Sequence, residues 1–119
     1  MALILCVEDD LDVRESLAGL LADDRHDVVT AGNGLEALGR MAKEPRPDLV
    51  VLDLMMPGMS GWELLLERSG STELAEVPVL VTSVFQPQAG QLSPRDAYLA
   101  KPYTTDELLE TVRVMLERR

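Results

Sequence analysis

Short apolar runs alternate along this chain with stretches whose apolar residues recur at helical spacing. Runs of strand length occupy residues 3–7, 28–30, 49–53, 79–82 and 98–100. Between most of them, Leu, Val and Met return every three or four positions, the spacing that gathers side chains on one helix face. That alternation predicts repeated βα units around a parallel sheet. The runs at 3–7 and 49–53 are apolar on both pleat faces, as expected where helices cover both sides of a sheet. Val28-Val29-Thr30, preceded by Asp27, reads as an edge strand.

Four helical segments are expected. The first carries Val13, Leu17, Leu20 and Leu21 on one face, with Asp10 or Asp12 as N-cap, and the second carries Leu35, Leu38 and Met41. A third starts after Gly61 and runs through Trp62, Leu65 and Leu66. The last runs from about Thr105 with Leu108, Leu109, Val112, Met115 and Leu116 inward, and Arg118 and Arg119 suit the negative end of its dipole. The stripes of the first two helices are expected in the core. Between Ser83 and Tyr98 the rhythm breaks, because Pro87, Gly90 and Pro94 interrupt any helix. A loop or a single helical turn is expected there.

With 119 residues, 46% of them hydrophobic, the chain fits one domain, residues 1–119, with an ordinary core. Its 21 acids against 11 bases give a net charge of -10, which opposes a nucleic-acid surface, since phosphate binding needs clustered Lys and Arg. The apolar N-terminal stretch meets Glu8 too soon for a signal-peptide core or a spanning helix. A cytoplasmic location without membrane contact is therefore expected. Cys6, the single cysteine, lies in an apolar run and reads as a small core residue that forms no internal disulfide.

The chemistry is concentrated where apolar runs end. Asp53 closes Leu49-Val50-Val51-Leu52, Glu8-Asp9-Asp10 closes the first run, and Lys101-Pro102 follows the last. Open parallel α/β sheets bind ligands beyond the carboxyl ends of their strands. Glu8, Asp9, Asp53, Thr82 and Lys101 all stand at or just past such ends, so they can converge. Two carboxylates ~4 Å apart repel by about 4 kcal/mol at an effective dielectric near ~20, and a cation relieves that cost. Mg²⁺ suits oxygen ligands of this kind and usually keeps waters and a phosphate oxygen as well. Lys101 supplies a positive charge for Asp53 or for a phosphoryl oxygen.

The chain resembles the receiver domains of two-component response regulators, the CheY-like superfamily, over essentially its whole length. The resemblance rests on Ile4-Leu5-Cys6-Val7-Glu8-Asp9-Asp10 and on the run from Pro47 to Gly61 that contains Asp53-Leu54-Met55-Met56-Pro57-Gly58. It rests equally on Val79-Leu80-Val81-Thr82-Ser83 and on Tyr98-Leu99-Ala100-Lys101-Pro102-Tyr103. It implies an α/β fold, a doubly wound five-stranded parallel sheet in flavodoxin-like order 2-1-3-4-5 flanked by helices. The fourth helix, regular in most of the family, would be short or missing here. By the same likeness Asp53 accepts a phosphoryl group from a histidine kinase or histidine phosphotransfer protein. Glu8, Asp9, Asp53 and the backbone carbonyl of Met55 hold Mg²⁺. Thr82 and Lys101 contact the phosphoryl group with the backbone of Ser83, and Thr82 and Tyr98 switch. The likeness also suggests a cis peptide at Lys101-Pro102.

Two other classes compete. A phosphatase or phosphotransferase with an aspartyl nucleophile typically has another Asp two residues on as proton donor, and Met55 stands there instead. The chain thus reads as a signalling receiver that catalyses only its own phosphorylation and dephosphorylation. A module that kept the fold and lost the chemistry would not need Glu8, Asp9, Asp53, Thr82 and Lys101 together. His26, in Asp23-Asp24-Arg25-His26-Asp27, reads as a solvated turn residue without a role. Output is expected through an unknown downstream protein, or through a further domain after Arg119.

Overall fold

The computed structural model describes residues 2–53, 61–87 and 90–118. Five strands, β1 (Leu3–Val7), β2 (Asp27–Ala31), β3 (Leu49–Asp53), β4 (Val79–Ser83) and β5 (Ala97–Ala100), form one sheet in the order β2-β1-β3-β4-β5. Every neighbouring pair is parallel. Helices α1 (Leu11–Asp23), α2 (Gly34–Met41), α3 (Gly61–Ser69) and α4 (Thr105–Glu117) cover its two faces, and a 3-10 turn spans Leu74–Glu76. This is the expected doubly wound fold. Val28-Val29-Thr30 does lie on an edge strand, longer than expected by one residue at each end.

The pleat alternation divides the core into two layers. Leu5, Val7, Val50, Leu52, Val79 and Val81 point to one side, with Ala37 and Met41 of α2 and Leu64 and Leu65 of α3. Ile4, Cys6, Leu49, Val51 and Leu80 point to the other, with Leu17 and Leu21 of α1 and Leu108, Val112 and Met115 of α4. Strands buried on both faces must be apolar at consecutive positions, which is why β1 and β3 read as continuous runs.

Helix starts are set by side-chain acceptors for otherwise unpaired N–H groups. Asp10 accepts from Val13 at 3.1 Å, and Asn33 accepts from Glu36 at 2.9 Å. Thr104 and Glu107 form a reciprocal capping box.

Three residues expected inward lie outward: Val13, Leu35 and Leu66 are 45%, 70% and 72% exposed. Val13 belongs to the first turn of α1, ahead of the contact made by Leu17 and Leu21. In α2 the buried positions are Gly34, Ala37 and Met41, so the small Ala37 takes the place against the sheet and Leu35 turns to solvent. In α3 the buried stripe is Gly61, Leu64, Leu65 and Arg68, one step around from the expected one. No helix occurs among the described residues between β4 and β5, in line with Pro87, Gly90 and Pro94. Gly90 has a φ of 88°, a left-handed conformation that favours glycine. Lys101-Pro102 is cis, as is Glu44-Pro45.

Candidate functional site

The carboxyl ends of β1, β3, β4 and β5 bring the expected groups together. The Glu8 N–H donates to the Ala31 carbonyl at 3.1 Å, continuing the β1–β2 ladder by one residue, and Arg14 donates to the Glu8 carbonyl at 3.0 Å. Asp53 is the last residue of β3, and its register partner across β4 is Thr82. Lys101 follows β5 and places Nζ 3.3 Å from Asp53 Oδ2. One carboxylate oxygen from each of Glu8, Asp9 and Asp53 lies within 4.8 Å of the others.

Glu8 and Asp53 are buried and Asp9 is exposed, so the acidic group opens to solvent on one side. Burial, and then hydrogen bonding to Asp53 and the Asp53 charge, push the Glu8 carboxyl up to about 8, although the Asp10 N–H at 3.2 Å favours its charged form. At neutral pH, without a metal, Glu8 thus carries a proton most of the time. That cost is the kind a divalent cation removes. Carboxylate oxygens gathered in this way, open to solvent on one side, are the donor type that Mg²⁺ takes together with water. The donors therefore fit Mg²⁺. Met55, expected to add a carbonyl ligand, lies outside the described residues.

The β4 end is almost fully buried at Thr82 and Ser83. Thr82 Oγ1 lies 3.5 Å from the Leu52 carbonyl, at the long limit for a hydrogen bond, so little holds the hydroxyl in that orientation. Ser83 Oγ accepts from the Phe85 N–H at 3.0 Å. The half-buried Tyr98 turns its hydroxyl inward and donates to the Ser83 carbonyl at 2.9 Å.

Two other side chains, to which the sequence alone assigns no role, bear on the site and its surroundings. Tyr103 packs on the α1 and α4 side; burial, with the charges of Glu8 and Asp53, raises its phenol above the ordinary range. It stays a neutral wall beside the acids. Arg68 is a buried arginine paired with Asp96. His26 is less solvated than expected: its side chain is largely covered, with Nε2 3.8 Å from Asp24. Cys6 is fully buried and its thiol is pushed up to about 12 by burial, which suits the expected core role. A cavity of about 500 Å³, lined in part by Arg46, Asp48, Pro78, Arg95 and Met115, lies at the amino ends of the strands, away from Glu8, Asp9 and Asp53. Among the described residues, no helix is long and apolar enough to cross a membrane.

A profile of the response regulator receiver domain matches residues 4–113, and the chain belongs to that family of two-component signalling proteins. Response regulator MprA of Mycobacterium leprae is 40% identical over 119 residues, covering 97% of this chain and 51% of the relative. Its counterpart in Mycobacterium tuberculosis strain H37Rv is also 40% identical, with 50% of its length covered. The chain thus spans about half the length of these curated relatives. Among solved structures, the receiver domain of a signal transduction histidine kinase from Syntrophus aciditrophicus superposes with a TM-score of 0.88 at 25% identity, over 98% of this chain and 91% of that one. Chemotaxis response regulator CheY4 of Vibrio cholerae gives 0.82 at 28% identity, over 97% and 98%.

Proposed function

We propose that Asp53 is a phosphoacceptor, loaded by a histidine kinase or histidine phosphotransfer protein in the cytoplasm, and that its phosphorylation switches contacts with a downstream protein. The observation that carries this reading is Lys101 Nζ 3.3 Å from Asp53 Oδ2 beside the Glu8-Asp9-Asp53 oxygens. A nucleophilic carboxylate thereby has cationic compensation on one side and a cation-ready oxygen set on the other.

In the proposed step an Asp53 oxygen attacks the phosphorus in line. The new O–P bond forms as the P–N bond to the donor histidine breaks, and the departing imidazole nitrogen takes the electron pair and then a proton. Lys101 offsets charge gathering on the phosphoryl oxygens, and the Thr82 hydroxyl and Ser83 N–H donate to them. Glu8, Asp9 and Asp53 would hold Mg²⁺, which when bound would supply positive charge to offset that of the phosphoryl oxygens. The phosphoryl group brings up to about two negative charges. Drawing Thr82 and Ser83 toward it changes the acceptor of the Tyr98 hydroxyl, so chemistry at β3 is transmitted to β5. The domain turns over no separate substrate and acts only on its own phosphoryl group.

Acetyl phosphate and Mg²⁺ test this directly. One phosphoryl adduct per chain, abolished in Asp53→Asn, supports the receiver reading. Absence of an adduct, or an adduct that persists in Asp53→Asn, overturns it.

A further inference from the structure

The crossing from β4 to β5 has no helix among its described residues, so its backbone groups need partners from elsewhere. At the lower end one carboxylate supplies them. Asp96 accepts from the Ser93 N–H at 2.8 Å and from the Val79 N–H at 2.9 Å. The Asp96 N–H donates to the Ser93 carbonyl at 3.0 Å, which closes residues 93–96 into a turn. From α3, Arg68 grips both Asp96 oxygens at 2.7 and 2.6 Å and also donates to the Val77 carbonyl at 2.9 Å. The two side chains are 4% and 0% exposed. Arg95, in the same turn, ties to Glu76 of the 3-10 turn at 2.9 Å.

This knot also sets the sheet. Asp96 holds Val79, one residue before the Leu80–Ala97 register pair, and that register puts Tyr98 opposite Val81. At the upper end Val84 and Phe85 lie in solvent immediately after Ser83.

We infer that the Arg68–Asp96 pair is a positioning anchor for the switch. It divides the β4–β5 crossing into a lower part, residues 93–96, that stays bound to α3 and β4 in both signalling states, and an upper part, carrying Val84 and Phe85, that moves with Ser83 and Tyr98. The inference rests on Asp53 being the phosphoacceptor. A guanidinium–carboxylate fork fixes direction as well as distance, so it resists sliding and rotation together. It therefore does for this irregular crossing what the packed face of a helix does for a regular one. With the base of β5 held, displacement at Ser83 passes to the exposed upper part and is not spent on shifting the strand.

Residue-resolved amide exchange on the chain, with and without acetyl phosphate and Mg²⁺, tests the anchor, while mass spectrometry reports the adduct. Exchange at Val84, Phe85 and Tyr98 is expected to change several-fold on adduct formation, with Val79 and Ser93 unchanged. Arg68→Lys, which keeps the charge and loses the fork, is expected to form the adduct normally, to speed exchange at Ser93, and to lose most of the adduct-dependent change at Tyr98. Equal changes at Ser93 and Phe85 in the wild-type chain overturn the anchor, as does an undiminished Tyr98 response in Arg68→Lys. If that variant does not fold, the wild-type pattern alone decides. No adduct on wild-type Asp53 overturns the phosphoacceptor reading itself, and the switch role of the anchor with it.

Discussion

Tyr98 and Lys101 are joined through a single acceptor: the Tyr98 hydroxyl and the Lys101 backbone N–H both donate to the Ser83 carbonyl oxygen, at 2.9 and 3.0 Å. The aromatic ring of β5 and the lysine that faces Asp53 are thus referred to the same atom at the end of β4. Movement of that carbonyl strains or releases both bonds.

Tyr98→Phe removes the hydroxyl and leaves the ring. A hydrogen bond of this kind contributes about 1 kcal/mol net, so the urea midpoint should fall by that equivalent with the slope unchanged. An unaltered midpoint would show that the hydroxyl is bound equally well by water.

Stability of the metal-free chain should fall as pH rises. The Glu8 carboxyl is raised in the folded protein from 4.5 to about 8, so the folded state holds its proton more tightly than the unfolded state does. Its contribution is complete below the unfolded value and is lost as pH climbs through the folded one. The loss should amount to up to a few kcal/mol by linkage. Thermal melts at pH 5, 7 and 9 in a chelating buffer measure it, and Glu8→Gln should flatten the profile. A chain more stable at pH 9 than at pH 5 would reverse the sign and defeat this account of Glu8.

Mg²⁺ should raise the melting temperature by mass action, and the ion and Lys101 should compete for Asp53. Lys101→Met removes a positive charge 3.3 Å from an Asp53 oxygen and is expected to tighten Mg²⁺ binding several-fold in calorimetry. Asp53→Asn or Asp9→Asn should weaken it at least as much. Weaker binding in Lys101→Met would mean that the lysine orders the ligands instead of repelling the ion.

Arg68→Met should be among the most damaging single changes, costing about 3–5 kcal/mol because it leaves the buried Asp96 carboxylate without its cation. Burial raises the Asp96 carboxyl, but Arg68 with the Ser93 and Val79 N–H groups outweighs it and holds it below the ordinary value. Its contribution is therefore present above the ordinary aspartate range and is lost as pH falls through the lowered one. Acid titration of wild-type stability should show that loss, and Arg68→Met should not.

The strands, the acidic rim and the irregular β4–β5 crossing are legible in the chain because each has a local signature, whereas the strand order follows only from the family resemblance. An apolar run on both pleat faces marks a covered strand, an acid at its end stands out, and Pro87, Gly90 and Pro94 exclude a long helix. Helix rotation was harder to read. Leu35 and Leu66 are as apolar as their neighbours, and which residue faces the sheet is decided by fit, with Ala37 and Leu64 taking the closer positions. The Arg68–Asp96 pair had no local mark at all: its partners lie 28 residues apart, and Arg68 in α3 looks like any solvated helix charge. Only the fold makes it a buried fork.

Asp53 and Lys101 stand at or beyond the last apolar position of their strands, while the two core layers are closed by other side chains. Chemistry and architecture are thus separable here. On the proposed reading of Asp53 as phosphoacceptor, an Asp53→Asn chain is expected to keep the scaffold and its exposed surfaces while refusing the phosphoryl group, and so to act in a cell as a decoy that occupies the donor protein and passes no signal on.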